Sequence, residues 1–375
     1  MDGTLALWFD PLGDAAADAP RIDVHVNLWR DLPSGFDFLD VGLRFKDVAE
    51  LARVLMFVPG RIKRDDVSDL WAVMRYGEVL KIVFNEVVLP GPGSADAYLI
   101  EQDGRPWLTM HRIDIARDLS FETVYSPDGD GTIITFEEQF CNRLRAAVNG
   151  CDGYARFRID LQGAASRMFT VETHSQHGHL APATDVTETT EFRLNVVRSY
   201  PEVVAHRARV GRFSIEKVHY FLIRDVGRRL VAQHGGVRNV RLLETRPWRA
   251  YVENRPGGDA GDMDRFVIYH WKADGRIQPF EEFAAYASFA ADRPHLAWYA
   301  VGIVLLGALG SAVASEAAAL VALASWSSVV TASVTLFSCT LPVAVFWWFS
   351  KRTSIVAAVG RLTKRRRSSS SITKT

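Results

Sequence analysis

The sequence predicts an α+β domain of mixed strands and helices, one stretch of which suits a βαβ unit, followed by a C-terminal two-helix transmembrane hairpin. Three observations lead there. Several stretches before residue 280 alternate apolar and polar residues with period two, and others space apolar residues at helical intervals. From Leu296 to Ser350 the chain then runs 55 residues with Glu316 as its one formal charge. With 375 residues, 48% of them apolar, the chain can bury a large core, which excludes disorder over most of its length. Three Cys exclude a disulfide-stapled secreted domain.

Taken in order, Ile22, Val24, Val26 and Leu28 alternate with Asp23, His25 and Asn27, the pattern of a half-buried strand. Leu39, Val41, Leu43 and Phe45 repeat it. Residues 54–58 are a short apolar run closed by Pro59 and Gly60. Val67, Leu70, Trp71 and Met74 follow at helical spacing with Gly77 as a stop, and residues 81–89 are again rich in strand formers. That strand–helix–strand order is what suits a βαβ unit. Further strands are expected at 155–161, 168–173, 192–197, 218–224 and 266–271, and loops at 90–93, 181–190 and 255–264. Residues 1–278 make the cytoplasmic domain, as one unit or as two subdomains split near residue 150. Residues 279–295 read as a juxtamembrane linker helix, because Phe280, Phe283, Tyr286 and Phe289 recur every third residue.

Residues 296–350 are long enough for two spans of about 20 residues and a turn. Trp298 and Tyr299 mark one interface, with Trp347 and Trp348 before Lys351 and Arg352, and Trp326 marks the other. Gly310 and Ala314 belong to a small-residue stripe that lets helices approach closely, within the chain or in a homo-oligomer. Glu316 falls near the far headgroups. The formal net charge is zero, but eight of the 44 basic residues lie from Lys351 onward, which leaves 43 acidic against 36 basic residues in 1–295. The basic tail 351–375 places itself, and the domain two crossings away, on the cytoplasmic side of the plasma (inner) membrane. The opening residues MDGTLALWFDPLGD carry no secretory signal.

Two segments hold metal-binding residue types. Ser126, Asp128, Asp130, Gly131, Ile133 and Glu137 resemble the twelve-residue calcium loop of the EF-hand family, in which oxygens at positions 1, 3, 5 and 12 hold the cation. The resemblance implies a calcium site on Ser126, Asp128, Asp130 and Glu137, although Ser126 replaces the usual first Asp and no second copy is present. The alternative is an Asp-Gly turn between two elements, and no cofactor is the default expectation. His174, His177 and His179 lie within six residues of one another but without a nearby Cys, and read as a solvated loop.

Arg228, Arg229, Arg238 and Arg241 lie in a locally basic stretch, 224–249. Their guanidinium forks suit a small anionic ligand such as a nucleotide, or else pair with the domain's own carboxylates. Its acidic balance argues against bulk nucleic acid. No G-x-S-x-G, P-loop, G-x-G-x-x-G or HExxH motif is present, so the sequence leans away from an enzyme and offers no catalytic residue. Arg outnumbers Lys 36 to 8, as in a GC-rich bacterial genome.

The expected function is therefore a membrane-anchored cytoplasmic sensor and effector. The domain binds a ligand or protein partner, and the hairpin assembles as a homo-oligomer and perturbs the bilayer. The layout resembles that of membrane effectors in bacterial anti-phage defence. A membrane-anchored enzyme and a scaffold that recruits a partner are the alternatives.

Overall fold

The computed structural model describes residues 4–291 apart from 14–18, 32–36, 128, 148–149, 175–185, 235, 254–261 and 276–279, together with 303–304, 306–308, 310–311 and 314–315. Residues 1–292 form one compact unit and 293–375 another. The first unit is mostly strand. It runs β1 (Ala6–Pro11), β2 (Arg21–Trp29), β3 (Asp37–Phe45), β4 (Leu51–Val58) and β5 (Val67–Asp69). Two short helices follow, α1 (Trp71–Met74) and α2 (Gly77–Phe84), then β6 (Val88–Gly93), β7 (Ala97–Gln102) and β8 (Arg105–His111). After α3 (Ile115–Asp118) come β9 (Leu119–Val124), β10 (Gly131–Phe136), α4 (Glu138–Ala146), β11 (Asp152–Leu161), β12 (Thr170–His174) and β13 (Val186–Leu194). Helix α5 (Glu202–Arg207) leads to β14 (Ser214–Asp225), β15 (Arg228–His234) and β16 (Asn239–Leu242). Helix α6 (Thr245–Glu253), β17 (Phe266–Asp274) and β18 (Phe283–Ala291) close the unit.

The strands form three sheets. Ten lie in one sheet, in the order β16-β17-β14-β2-β3-β11-β8-β7-β6 with β5 also on β11. The others make two four-stranded sheets, β1-β4-β10-β9 and β12-β13-β18-β15. In the large sheet β14 runs parallel to β2, and β11 parallel to β8. Period-two alternation gives this sheet two different faces. Val24 and Val26 of β2, Val218, Tyr220 and Leu222 of β14, and Val267, Tyr269 and Trp271 of β17 face a core shared with both small sheets. Met56, Ile134, Phe192 and Phe289 come to that core from the small sheets. The opposite face is covered over part of its width by α1, α2 and α6, whose Met74, Leu80, Val83, Trp248 and Tyr251 pack on Trp29, Tyr98, Tyr154 and Ile223. What α2 and α6 leave uncovered is the site described below.

Several sequence expectations are corrected. The fold is mostly β, with few helices, and not α+β. The proposed stretch forms no βαβ unit, because β4 and β6 belong to different sheets. The first half of 81–89 instead finishes α2, where Val79, Leu80 and Val83 are buried at helical spacing and Asn85 in the left-handed region (φ 55°) ends the helix. The linker helix is a strand, β18, hydrogen-bonded on both sides between β13 and β15. Its Ala285, Ala287 and Phe289 face the core at period two, a pattern that interleaved alanines hid behind the aromatic spacing.

The transmembrane hairpin is also unsupported. Hydropathy counts apolar content, whereas crossing needs an unbroken apolar helix of about 20 residues. Among the described residues no helix is long and apolar enough to cross a membrane. That finding overturns the two-pass, inner-membrane placement with both termini cytoplasmic. Gly310 and Ala314 lie in exposed helical turns. Trp298, Tyr299, Glu316, Trp326, Trp347, Trp348, Lys351 and Arg352 lie outside the described residues.

Candidate functional site

The uncovered part of the large sheet is a cavity of ≈ 350 Å³. Strand register builds it. His219 of β14 stands beside His25 of β2, across a parallel pair. His219 lies opposite Lys272, and Phe221 opposite His270, across the antiparallel β14–β17 pair. Because alternate residues share a face, Lys217, His219 and Phe221 point the same way, as do Ile268, His270 and Lys272. Edge strand β16 adds Arg241, with Arg238 just before it; β3 adds Arg44; the end of α2 and β8 add Phe84 and Trp107. Five cationic side chains thus line the cavity against the carboxylates of Asp23 and Glu86.

The three imidazoles are the centre of this surface. His219 Nδ1 lies 3.3 Å from His270 Nε2, and the His219 and His25 ring centroids are 5.0 Å apart. Burial pushes all three down, because the charged form is the one that loses hydration. His219 falls to about 3, with the His270, Lys272 and Lys217 charges adding to the effect. His270 falls to about 4, helped by Arg238 and Lys272. His25 lies well below the usual imidazole range, through burial first and then the His219 and Arg156 charges. At neutral pH the cavity therefore presents neutral imidazoles ringed by fixed cations.

Beneath His25 the sheet is polar and fully buried. Arg156 donates from Nη1 to the Tyr154 hydroxyl (3.1 Å) and from Nε to the Tyr251 hydroxyl (2.8 Å). Arg156 is donor-only, so the Tyr154 oxygen accepts from it, and the same hydroxyl meets His25 Nδ1 at 3.4 Å. One residue pair along, Arg158 donates to both oxygens of Asp40 (2.7 and 3.3 Å), and Trp29 Nε1 donates to the same carboxylate. Gly42 makes this layer fit: a Cβ there would sit 2.0 Å from the Tyr154 hydroxyl oxygen.

Larger grooves include one of ≈ 470 Å³ beside His111 and Cys151 and two in which Arg side chains already have carboxylate partners. In one of ≈ 570 Å³, Arg53 pairs with Asp10 and Arg207 with Glu122. In one of ≈ 730 Å³, Arg61 pairs with Asp130.

The structure brings together some of the residues read from sequence and separates others. Arg238 and Arg241 line the cavity. Arg228 instead pairs with Asp31 (3.2 Å) at the edge of a buried cluster of Arg224 and Glu188, and Arg229 is exposed on β15. Asp130 and Glu137 sit at opposite ends of β10, which is extended and paired on both sides. Six strand residues part them by about 20 Å, beyond the reach of one cation. Glu137 accepts a hydrogen bond from the Ser120 hydroxyl, Ser126 borders the β9–β10 turn, and Asp128 lies outside the described residues. His174 ends β12, and His177 and His179 lie outside the described residues. Among the described residues no three His, Cys, Asp or Glu side chains are grouped to hold a metal.

Sequence reasoning missed the imidazole row. A signal was present, since Lys217, His219, His270 and Lys272 are polar residues at alternate positions of otherwise apolar strands. What the sequence lacked was the pairing that sets β14 between β2 and β17. No family model matches the chain, and no curated protein matches it. Among solved structures, the folded domain of LppM from Mycobacterium tuberculosis, determined by NMR, is 9% identical over 76% of this chain and 97% of its own, with a TM-score of 0.20. At that score the likeness carries no argument about fold or function.

Proposed function

We propose that the strand-rich unit is the sensing part of an effector, a binding domain for a small anionic ligand held in the His25–His219–His270 cavity. One observation carries this reading: cations from β3, β14, β17 and the β16 edge converge on a single walled cavity beside neutral imidazoles. Guanidinium and ammonium groups supply charge-assisted bonds to anionic oxygens, and Phe84 and Trp107 supply an apolar wall, the usual mixture for a small-ligand site. Among the described residues Arg238 has no ion pair, so one fixed cation at the mouth is uncommitted.

Thermal melting of the full chain with AMP and with pyrophosphate tests the reading. A ligand at 100 times its Kd adds about 2.7 kcal/mol to stability, so a saturable rise in Tm is expected, smaller at high salt. Arg238→Glu at the exposed rim should remove the rise while leaving the ligand-free Tm near wild type. Unchanged melting with both anions would sink the proposal.

A further inference from the structure

Resting on that anion-binding reading, we propose that the ligand is a phosphomonoester dianion and that the His219–His270 pair takes up one proton from solvent as it binds, becoming part of the ligand's counter-charge.

The geometry of the pair comes first. With His219 Nδ1 and His270 Nε2 3.3 Å apart, one proton between them makes an N–H···N bond, and the outer nitrogen of each ring remains for the cavity. Stacked at 16° with centroids 5.4 Å apart, the rings form one polar unit spanning β14 and β17. In the neutral pair the other ring proton sits on one outer nitrogen, and a third proton, on the remaining outer nitrogen, makes that unit a cation.

The surroundings decide when that happens. On their own strands the two rings face Lys217 and Lys272, and β16 brings Arg241 with Arg238 before it. From β2 come His25 and Asp23, and Lys46 already holds Asp23 at 2.8 Å. From β3 comes Arg44, and from beneath, on β11, Tyr154 and the buried Arg156. Glu86, just after α2, accepts from Gln102. The cavity's own side chains are thus dominated by positive charge, and with them alone the pair stays neutral well below pH 7. A negative charge about 4 Å away raises an imidazole's pKa by roughly three at an intermediate effective dielectric. A ligand with two such charges carries the pair past neutrality.

Cation commitments favour two charges over one. Arg44 is bound to Asp152 (2.7 Å), Arg241 to Glu244 and Lys272 to Asp274 (3.4 Å), and Lys217 is also engaged. Arg238 answers one ligand charge, and a protonated pair answers the next. A phosphomonoester, with its second pKa near 6, brings two charges at neutral pH, whereas a sulfonate of the same shape brings one.

Isothermal titration calorimetry on the full chain, at neutral pH in two buffers of different ionisation heat, reads the proton count directly. The probes are phenyl phosphate and benzenesulfonate. Phenyl phosphate is expected to bind with net uptake of close to one proton, and benzenesulfonate to bind about tenfold more weakly with a clearly smaller uptake. His270→Gln should abolish the uptake and bring phenyl phosphate to the sulfonate's affinity; the wild-type proton count stands without this variant should it fail to fold. Phenyl phosphate binding without proton exchange would overturn this inference and leave the anion site standing. Heat from neither probe would overturn both.

Discussion

Gly42 shows how one missing methyl group underlies the site. It faces Arg156 across the β3–β11 pair, and the space a side chain would take is occupied by the Tyr154 hydroxyl, the group that links Arg156 to His25. Gly42→Ala should therefore act by overpacking. It should destabilise the protein by about 1–3 kcal/mol and push Tyr154 away from His25, which urea unfolding and ligand melting curves will report together. Wild-type stability in Gly42→Ala would mean that Tyr154 can yield, and that its contact with His25 is slack. Nothing in the sequence marks Gly42 among its neighbours. Its role comes from Tyr154, more than a hundred residues away.

At the scale of elements, β2, β14 and β17 place neutral histidines side by side, and this makes folding pH-dependent. In the unfolded chain these imidazoles titrate near 6.5; folded, His219 and His270 titrate near 3 and 4. Between those values the unfolded state binds more protons, so stability is full above about pH 6.5 and falls as the pH drops through that window. Urea unfolding at pH 7 and pH 5 should show the loss, and His219→Gln with His270→Gln should reduce it. Equal losses in wild type and double variant would mean that other groups govern acid unfolding. Strands with polar residues at alternate positions were legible: β2 and β3 follow their alternation closely, although both are buried along nearly their whole length. Elements without that contrast were not. In β18 alanines fill the core positions, and in α2 the β-branched Ile82 and Val83 gave a helix the look of a strand. The polar row of the site was visible strand by strand, but its assembly rests on non-local pairing that no local pattern encodes.

For the whole molecule, the shared core is the main fact. Trp271 lies in the core between the large sheet and both small ones, Trp29 of the sheet packs on Trp248 of α6, and Trp8 packs in a third cluster on the β1–β4 sheet. One hydrophobic unit joining three sheets should unfold as one. Tryptophan fluorescence and far-UV circular dichroism are expected to give coincident urea transitions, and two separated transitions would show a sheet melting by itself. The apolar content of 296–350 was legible as composition, and most of that stretch lies outside the described residues.

The parallel β2–β14 pair also shapes the birth of the chain. Strand β2 leaves the ribosome early, and its neighbour on one side is β14, whose residues 214–225 come much later. At a synthesis rate of about 5–20 residues per second, that edge waits roughly 10 to 40 s for its partner. Over that interval a β2–β3 hairpin offers an open row of backbone donors and acceptors to any other nascent chain on the same polysome. Aggregation during rapid expression should therefore fall when translation is slowed by cooling or when a chaperone that shields strand edges is supplied.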